Sequence, residues 1–306
     1  MIHVGAYAAS AGLDEAGEDA LYEGIAALGA AGLEQPFDGA LARDEGRLIA
    51  RIRPTWSLVL TLLPGEMKRL AGDKDFGLAS ADASGRARAL EFAEAGRLAV
   101  ERLNRALGRR AVIAVQVHSA PRLGGSGAKS SVDRFAESLS ALRARDWMGA
   151  RLLVEHCDAA VPGRECDKGF LRIEDDVLAA KLSEGKTPVG VAINWGRSAV
   201  ETRSAVGPLA HVERASQAGL LEALFFSGAT PAHPEYGAWR DTHAPFSTSV
   251  PESILTPEDA RECLAAAGSV GIVGLKLQTK PSTADVPSRL AVIRAGFDAI
   301  RGTLKP

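Results

Sequence analysis

The stretch LLVEHCDAA, residues 152–160, runs from apolar side chains straight into Glu155, His156, Cys157 and Asp158. A carboxylate beside an imidazole can move protons, and the same side chains can hold a divalent cation. Other apolar runs end in the same manner, at Tyr7, Glu34, Thr61, His118, Asn194 with Trp195, Ser227, and Lys276 with Gln278. Side chains alternate along a strand, so Glu155 shares a face with Cys157 while His156 points away, and Lys276 shares a face with Gln278. A charge on an inward face needs a partner. Glu155 and Lys276 can neutralise each other, as a catalytic pair or as a plain salt bridge. A buried lysine beside the acid favours its ionised, basic form.

Such tips do chemistry only if the chain lines them up. Eight short, largely β-branched runs lie at 2–7, 32–37, 56–62, 111–119, 150–157, 189–195, 222–228 and 271–278. They alternate with stretches of helical period near 15–31, 40–52, 84–108, 129–146, 171–184, 206–219, 256–267 and 285–302. SSVDRF from residue 130 offers a serine cap, and Thr256 another, with Pro257 and acids behind it. Strict alternation calls for parallel strands covered on both faces. The expected fold is α/β, a single (β/α)8 TIM barrel domain over residues 1–306, with its active site at the C-terminal strand ends. The rival doubly wound sheet would carry a glycine-rich phosphate turn after its first strand, and GAYAASAGLDEAG is a poor match. Residues 229–255, rich in Pro, His and aromatics, break the rhythm after the seventh strand and read as a lid-like loop.

Composition narrows the partners. A net charge of −2 gives no field for nucleic acid, and no apolar run approaches a bilayer span. The first residues lack the basic start and apolar core of a signal peptide. Cys157, Cys166 and Cys263 show no paired spacing and suit a reducing cytoplasm. The expectation is a cytoplasmic protein acting on a small molecule, with a homo-oligomer left open.

GLEQPF in the second strand, VHS ending the fourth and VEHCD ending the fifth give the chain a resemblance to the xylose-isomerase-like barrel superfamily. Within it, the chain resembles an uncharacterised bacterial family. The superfamily holds sugar isomerases, ketose epimerases, hydroxypyruvate isomerase and endonuclease IV. The resemblance implies a divalent metal (Mn, Mg or Zn) bound by Glu on strand five, Asp or His on six, His on seven and Glu on eight. Glu155 matches, whereas Asn194, Ser227, and Lys276 with Gln278 depart. An ammonium near such a metal would repel it by about 4 kcal/mol per charge pair at ~4 Å. Lys276 is therefore inferred to stand in for the metal and stabilise a developing enolate, with Glu155 as the proton-transfer group. No cofactor is assigned. A metal held by Glu155, His118, Asp158 and His156 stays open, although alternating side-chain directions oppose that convergence.

His118 reads as an acid/base partner or substrate ligand. Tyr7, Glu34, Asn194, Trp195, Arg197, Ser227, Gln278, Trp239 and His243 read as substrate contacts. Amides and hydroxyls suit sugar hydroxyls, the indoles offer stacking faces, and Arg197 with Arg203 suits an acid group. RLGGSGAKSS, residues 122–131, precedes a helix but lacks phosphate-loop spacing, and reads first as a flexible loop. The expected activity is that of a sugar isomerase or epimerase, moving a proton next to the carbonyl of a small carbohydrate or sugar acid. Three rivals remain. Lys276 suits a Schiff-base aldolase or lyase. Glu155 with Glu34 or Asp158 suits a glycoside hydrolase. A barrel that only binds sugar is the third. A DNA-repair role would need a basic stripe that the sequence lacks.

Overall fold

The computed structural model describes residues 2–302 except 125, 126 and 128. Its strands are β1 (Ile2–Val4), β2 (Gly32–Pro36), β3 (Ser57–Thr61), β4 (Val112–Val117), β5 (Arg151–His156), β6 (Val189–Asn194), β7 (Leu221–Phe226) and β8 (Ile272–Leu275). They follow one another around a closed barrel in chain order, a (β/α)8 barrel.

Eight helices fall where periodicity places them: α2 (Glu15–Ala27), α3 (Glu45–Arg51), α5 (Ala83–Ala106), α6 (Val132–Arg143), α7 (Ile173–Leu182), α9 (Val206–Gln217), α10 (Pro257–Ala267) and α11 (Val286–Arg301). Three more are short and follow strands directly: α1 (Ala6–Ala9), α4 (Leu63–Leu70) and α8 (Trp195–Thr202). None of the three lies in a stretch that reads as helical by period. No helix among the described residues is long and apolar enough to cross a membrane.

The helix starts obey local chemistry. Thr256 caps α10 in a reciprocal box with Asp259, and Pro257 occupies the first turn. Thr256→Ala should therefore cost about 1 kcal/mol, read as a lowered urea midpoint with an unchanged slope. At α6 the cap is Ser131, and its hydroxyl makes no cap bond. Asp14, Asp44, Asp82 and Asp285 cap α2, α3, α5 and α11 through their carboxylates.

The chain divides into two compact units. The first comprises residues 1–34, 193–217 and 221–306. Within it β1 pairs in parallel with β2 and β8, and β7 with β8. Phe225 lies opposite Gly274 on β8. A Cβ on Gly274 would stand 2.2 Å from the Phe225 ring, so the absent side chain makes room for the aromatic. Residues 229–255 also belong here. They bury Tyr236, Phe246 and Leu255. The Tyr236 hydroxyl donates to the Gln278 carbonyl at 2.9 Å, and the Gly228 N–H donates to the Ala244 carbonyl at 2.6 Å.

The second unit comprises residues 35–192 and 218–220. Within it β3, β4 and β5 pair in parallel, with Gln116 opposite Leu153 and Val117 opposite Val154. Leu58, Val59, Val115, Leu152 and Val154 are buried, as parallel strands require.

Candidate active site

In the second unit, β5 delivers Glu155 and His156 to different partners. The Nε2 of His118, just past the end of β4, lies 2.9 Å from Oε2 of Glu155. The Nδ1 of His118 lies 3.0 Å from Oε2 of Glu66, on α4. All three side chains are buried. His156 takes the opposite direction, with Nδ1 2.9 Å from Oδ2 of Asp176 on α7.

Burial works against a charge on His118, but the Glu66 and Glu155 carboxylates outweigh it and raise its pKa to about 9. The result is an imidazolium held in a row between two carboxylates. A folded-state pKa raised above the ordinary value of 6.5 contributes stability fully below that value and loses it as pH rises through about 9. The stability gap between wild type and His118→Gln should therefore be widest below pH ~6.5 and narrow steadily towards pH ~9.5, measured by urea unfolding.

That arrangement bears on the expected metal ligands. Both ring nitrogens of His118 are turned to carboxylates, Nε2 to Glu155 and Nδ1 to Glu66. Asp158 turns Oδ2 to the backbone N–H groups of Lys168 at 2.9 Å and Gly169 at 3.4 Å, fixing the loop after β5. Glu155, His118 and Asp158 do not fit a divalent metal.

The first unit holds a second group of strand-end residues. The Tyr7 hydroxyl, on α1, donates to Oε2 of Glu34 at 3.0 Å. The other Glu34 oxygen lies 2.9 Å from Nζ of Lys276, immediately after β8. Both charges are buried, and the ammonium sits 5.9 Å and 5.6 Å from the ring centroids of Tyr7 and Phe225. Glu34 thus supplies Lys276 with a carboxylate partner that the sequence reading did not name.

Asn194 caps α8. Its Oδ1 accepts the N–H groups of Gly196 at 3.1 Å and Arg197 at 3.4 Å, and the Ser227 hydroxyl at 2.8 Å. Three donors on one oxygen leave it nothing for a cation. A Cβ on Gly196 would lie 2.5 Å from Ser227 Oγ, so glycine permits this close approach. The sixth, seventh and eighth strands therefore end in an amide, a hydroxyl and an ammonium already committed to protein partners, and a metal does not fit there either.

Arg197 is buried, with Nε 3.0 Å from Oδ2 of Asp241. The other Asp241 oxygen lies 3.1 Å from Nδ1 of His243. Burial lowers the His243 pKa; Asp241 opposes the shift while Lys276 and Arg197 reinforce it. Trp195 is wholly buried, its indole against Cys263 on α10, and burial pushes that thiol up to about 12. Gln278 is half-buried and receives the Tyr236 hydroxyl on its backbone carbonyl. Trp239 is half-buried at a positive φ of 54°. Arg203 is exposed at the C-cap of α8.

Of the glycine-rich loop at 122–131, residues 125, 126 and 128 lie outside the described residues. Arg122 donates to the carbonyls of Cys166 at 2.6 Å and Asp167 at 2.8 Å, which ties this loop to the one after β5.

Sequence reasoning missed Glu66, Asp176 and Asp241. Glu66 had a signal: LPGEMK places Pro64 and an acid in the first turn of a helix, directly behind the third strand. Asp241 stands in WRDTH between residues that were singled out, and nothing in its spacing marks it.

The sequence model of the family described as "Domain of unknown function (DUF4862)" matches residues 3–292. The chain is 35% identical over 275 residues to "Uncharacterized protein STM3670" of Salmonella typhimurium, covering 88% of this chain and 86% of that protein. Among solved structures, an L-ribulose 3-epimerase superposes with a TM-score of 0.66 at 15% identity, over 99% of this chain and 95% of that one. A putative xylose isomerase from Rhodospirillum rubrum superposes with a TM-score of 0.64 at 14% identity, over 100% and 99% of the two chains. Likeness at such identities establishes the fold alone.

Proposed function

The chain belongs to the DUF4862 family, and from its own strand-end residues we propose that it is a carbohydrate-active enzyme of the isomerase or epimerase kind. It moves a proton next to the carbonyl of a small polyhydroxylated substrate. Glu155 takes and returns the proton bound to carbon. Lys276, held by Glu34, is the fixed positive charge that steadies the enediolate. Tyr7, Asn194, Ser227 and Gln278 are read as hydroxyl-directed contacts and Trp239 as the contact for a sugar face, while Arg197 is held on Asp241.

The observation that carries this reading is the buried row Glu66–His118–Glu155 at strand ends of a barrel. Two buried carboxylates meet one buried imidazole there, and titratable groups gathered in this way are a recurrent arrangement for moving protons. The sugar epimerases among the similar structures add support by fold only.

The test is a panel of aldoses, ketoses and sugar acids incubated with the protein and followed by NMR. Interconversion of an aldose–ketose pair or of two epimers is the expected result. A protein that binds a sugar from the panel yet converts none is a binding barrel, and this reading then fails.

A further inference from the structure

We propose that His243 is a further acid–base residue, the group that carries the oxygen-bound proton, and that Asp241 and Arg197 position it. This rests on the reaction proposed above. The three side chains form a line: Arg197 Nε stands 3.0 Å from one Asp241 oxygen, and the other oxygen stands 3.1 Å from His243 Nδ1. Exposure rises along it, from 2% for Arg197 and 4% for Asp241 to 16% for His243. The inner members are fixed and the outer one can meet a substrate. Nε2 of His243 has no partner among the described residues.

The negative charge 3.1 Å from Nδ1 favours the tautomer with its proton there, leaving the lone pair on Nε2. The charged groups facing the ring are Asp241 from its own loop, Arg197 from α8 and Lys276 after β8. Burial and the two cations outweigh the carboxylate, so the ring is neutral at ordinary pH and ready as a base.

The backbone points the same way. Trp239 and His243 both adopt a φ of 54°, and they bracket Asp241. Non-glycine residues hold such angles only where their surroundings impose them, often where a side chain must be aimed. Here the Trp239 N–H donates to the Thr230 carbonyl at 2.8 Å, and the His243 carbonyl accepts the Gln278 N–H at 2.8 Å.

The step balances without a co-reactant. Nε2 takes the proton of the hydroxyl beside the carbonyl as that O–H bond breaks, and the freed electron pair forms the new C=O. The imidazolium gives the proton to the former carbonyl oxygen. One carbon is oxidised as its neighbour is reduced.

The test uses His243→Gly, because a φ of 54° is ordinary for glycine and the variant should fold. Turnover should fall by about 10²–10⁴-fold and recover with added free imidazole. Asp241→Asn should move the acidic limb of the pH–rate profile to lower pH, since Asp241 raises the His243 pKa. A folded His243→Gly with wild-type turnover would overturn the assignment and leave the proposed function standing. A wild type that converts no sugar would overturn the proposed function. The ¹⁵N imidazole spectrum, assigned by comparison with His243→Gly, then decides His243 by itself. A bare Nε2 at pH 7 supports the base, and a protonated Nε2 overturns it.

Discussion

Glu155→Gln is expected to lower turnover by about 10²–10⁴-fold, the range for loss of a positioned proton-transfer group. Gln keeps the size of the side chain and can still reach His118, but it cannot accept a proton. Binding of substrate should change far less, so the loss should fall on kcat rather than KM. The substitution also removes one of the two carboxylates that raise the His118 pKa to about 9. That pKa should fall, and the stability that His118 contributes should then disappear at lower pH than in wild type. The two effects are read separately, by turnover and by the pH dependence of unfolding. A folded Glu155→Gln with undiminished turnover would remove Glu155 from the chemistry.

Lys276→Met is expected to cost about 3–5 kcal/mol of stability, because it leaves the buried Glu34 carboxylate without the ammonium 2.9 Å away. Methionine is similar in length and fills the space between the Tyr7 and Phe225 rings. Neutralising the stranded acid in Glu34→Gln/Lys276→Met should restore much of that stability, as measured by urea unfolding at neutral pH. It should not restore turnover, because the fixed positive charge is gone. Turnover that returned with stability would make Lys276 a structural residue only. Borohydride adds a separate check. Reduction in the presence of substrate should leave no adduct on Lys276, since an imine there would belong to aldolase or lyase chemistry.

The barrel was legible because it is written in repetition. Eight apolar runs and the helices between them needed only periodicity and a few caps, and Thr256 behaved as its TPED context requires. Alternation along a single strand was equally readable, and it correctly sent Glu155 and His156 to different partners. Pairing between elements was not readable. Nothing in the sequence says that Lys276 meets Glu34, 242 positions away, or that His118 meets a carboxylate on a helix as short as α4. The role of Asn194 was hidden for a related reason. Its amide caps α8, a helix that starts directly at the end of β6, so no loop sets the cap apart from the strand. The aspartate behind His243 was hidden because an irregular segment has no period at all.

The departure from the family's ligand residue types was visible in the sequence, and the geometry gives those residues protein partners. Asn194 spends its oxygen on three donors, and both nitrogens of His118 are turned to carboxylates. The most direct measurement is therefore solvent-deuterium incorporation into a converted sugar by protein treated with a strong chelator. Proton transfer by Glu155 with Lys276 as the fixed charge predicts deuterium at the carbon next to the carbonyl, at a rate unchanged by chelation. Activity that vanishes with the chelator and returns with added Mn²⁺, Mg²⁺ or Zn²⁺ would contradict it, as would conversion without any deuterium at that carbon.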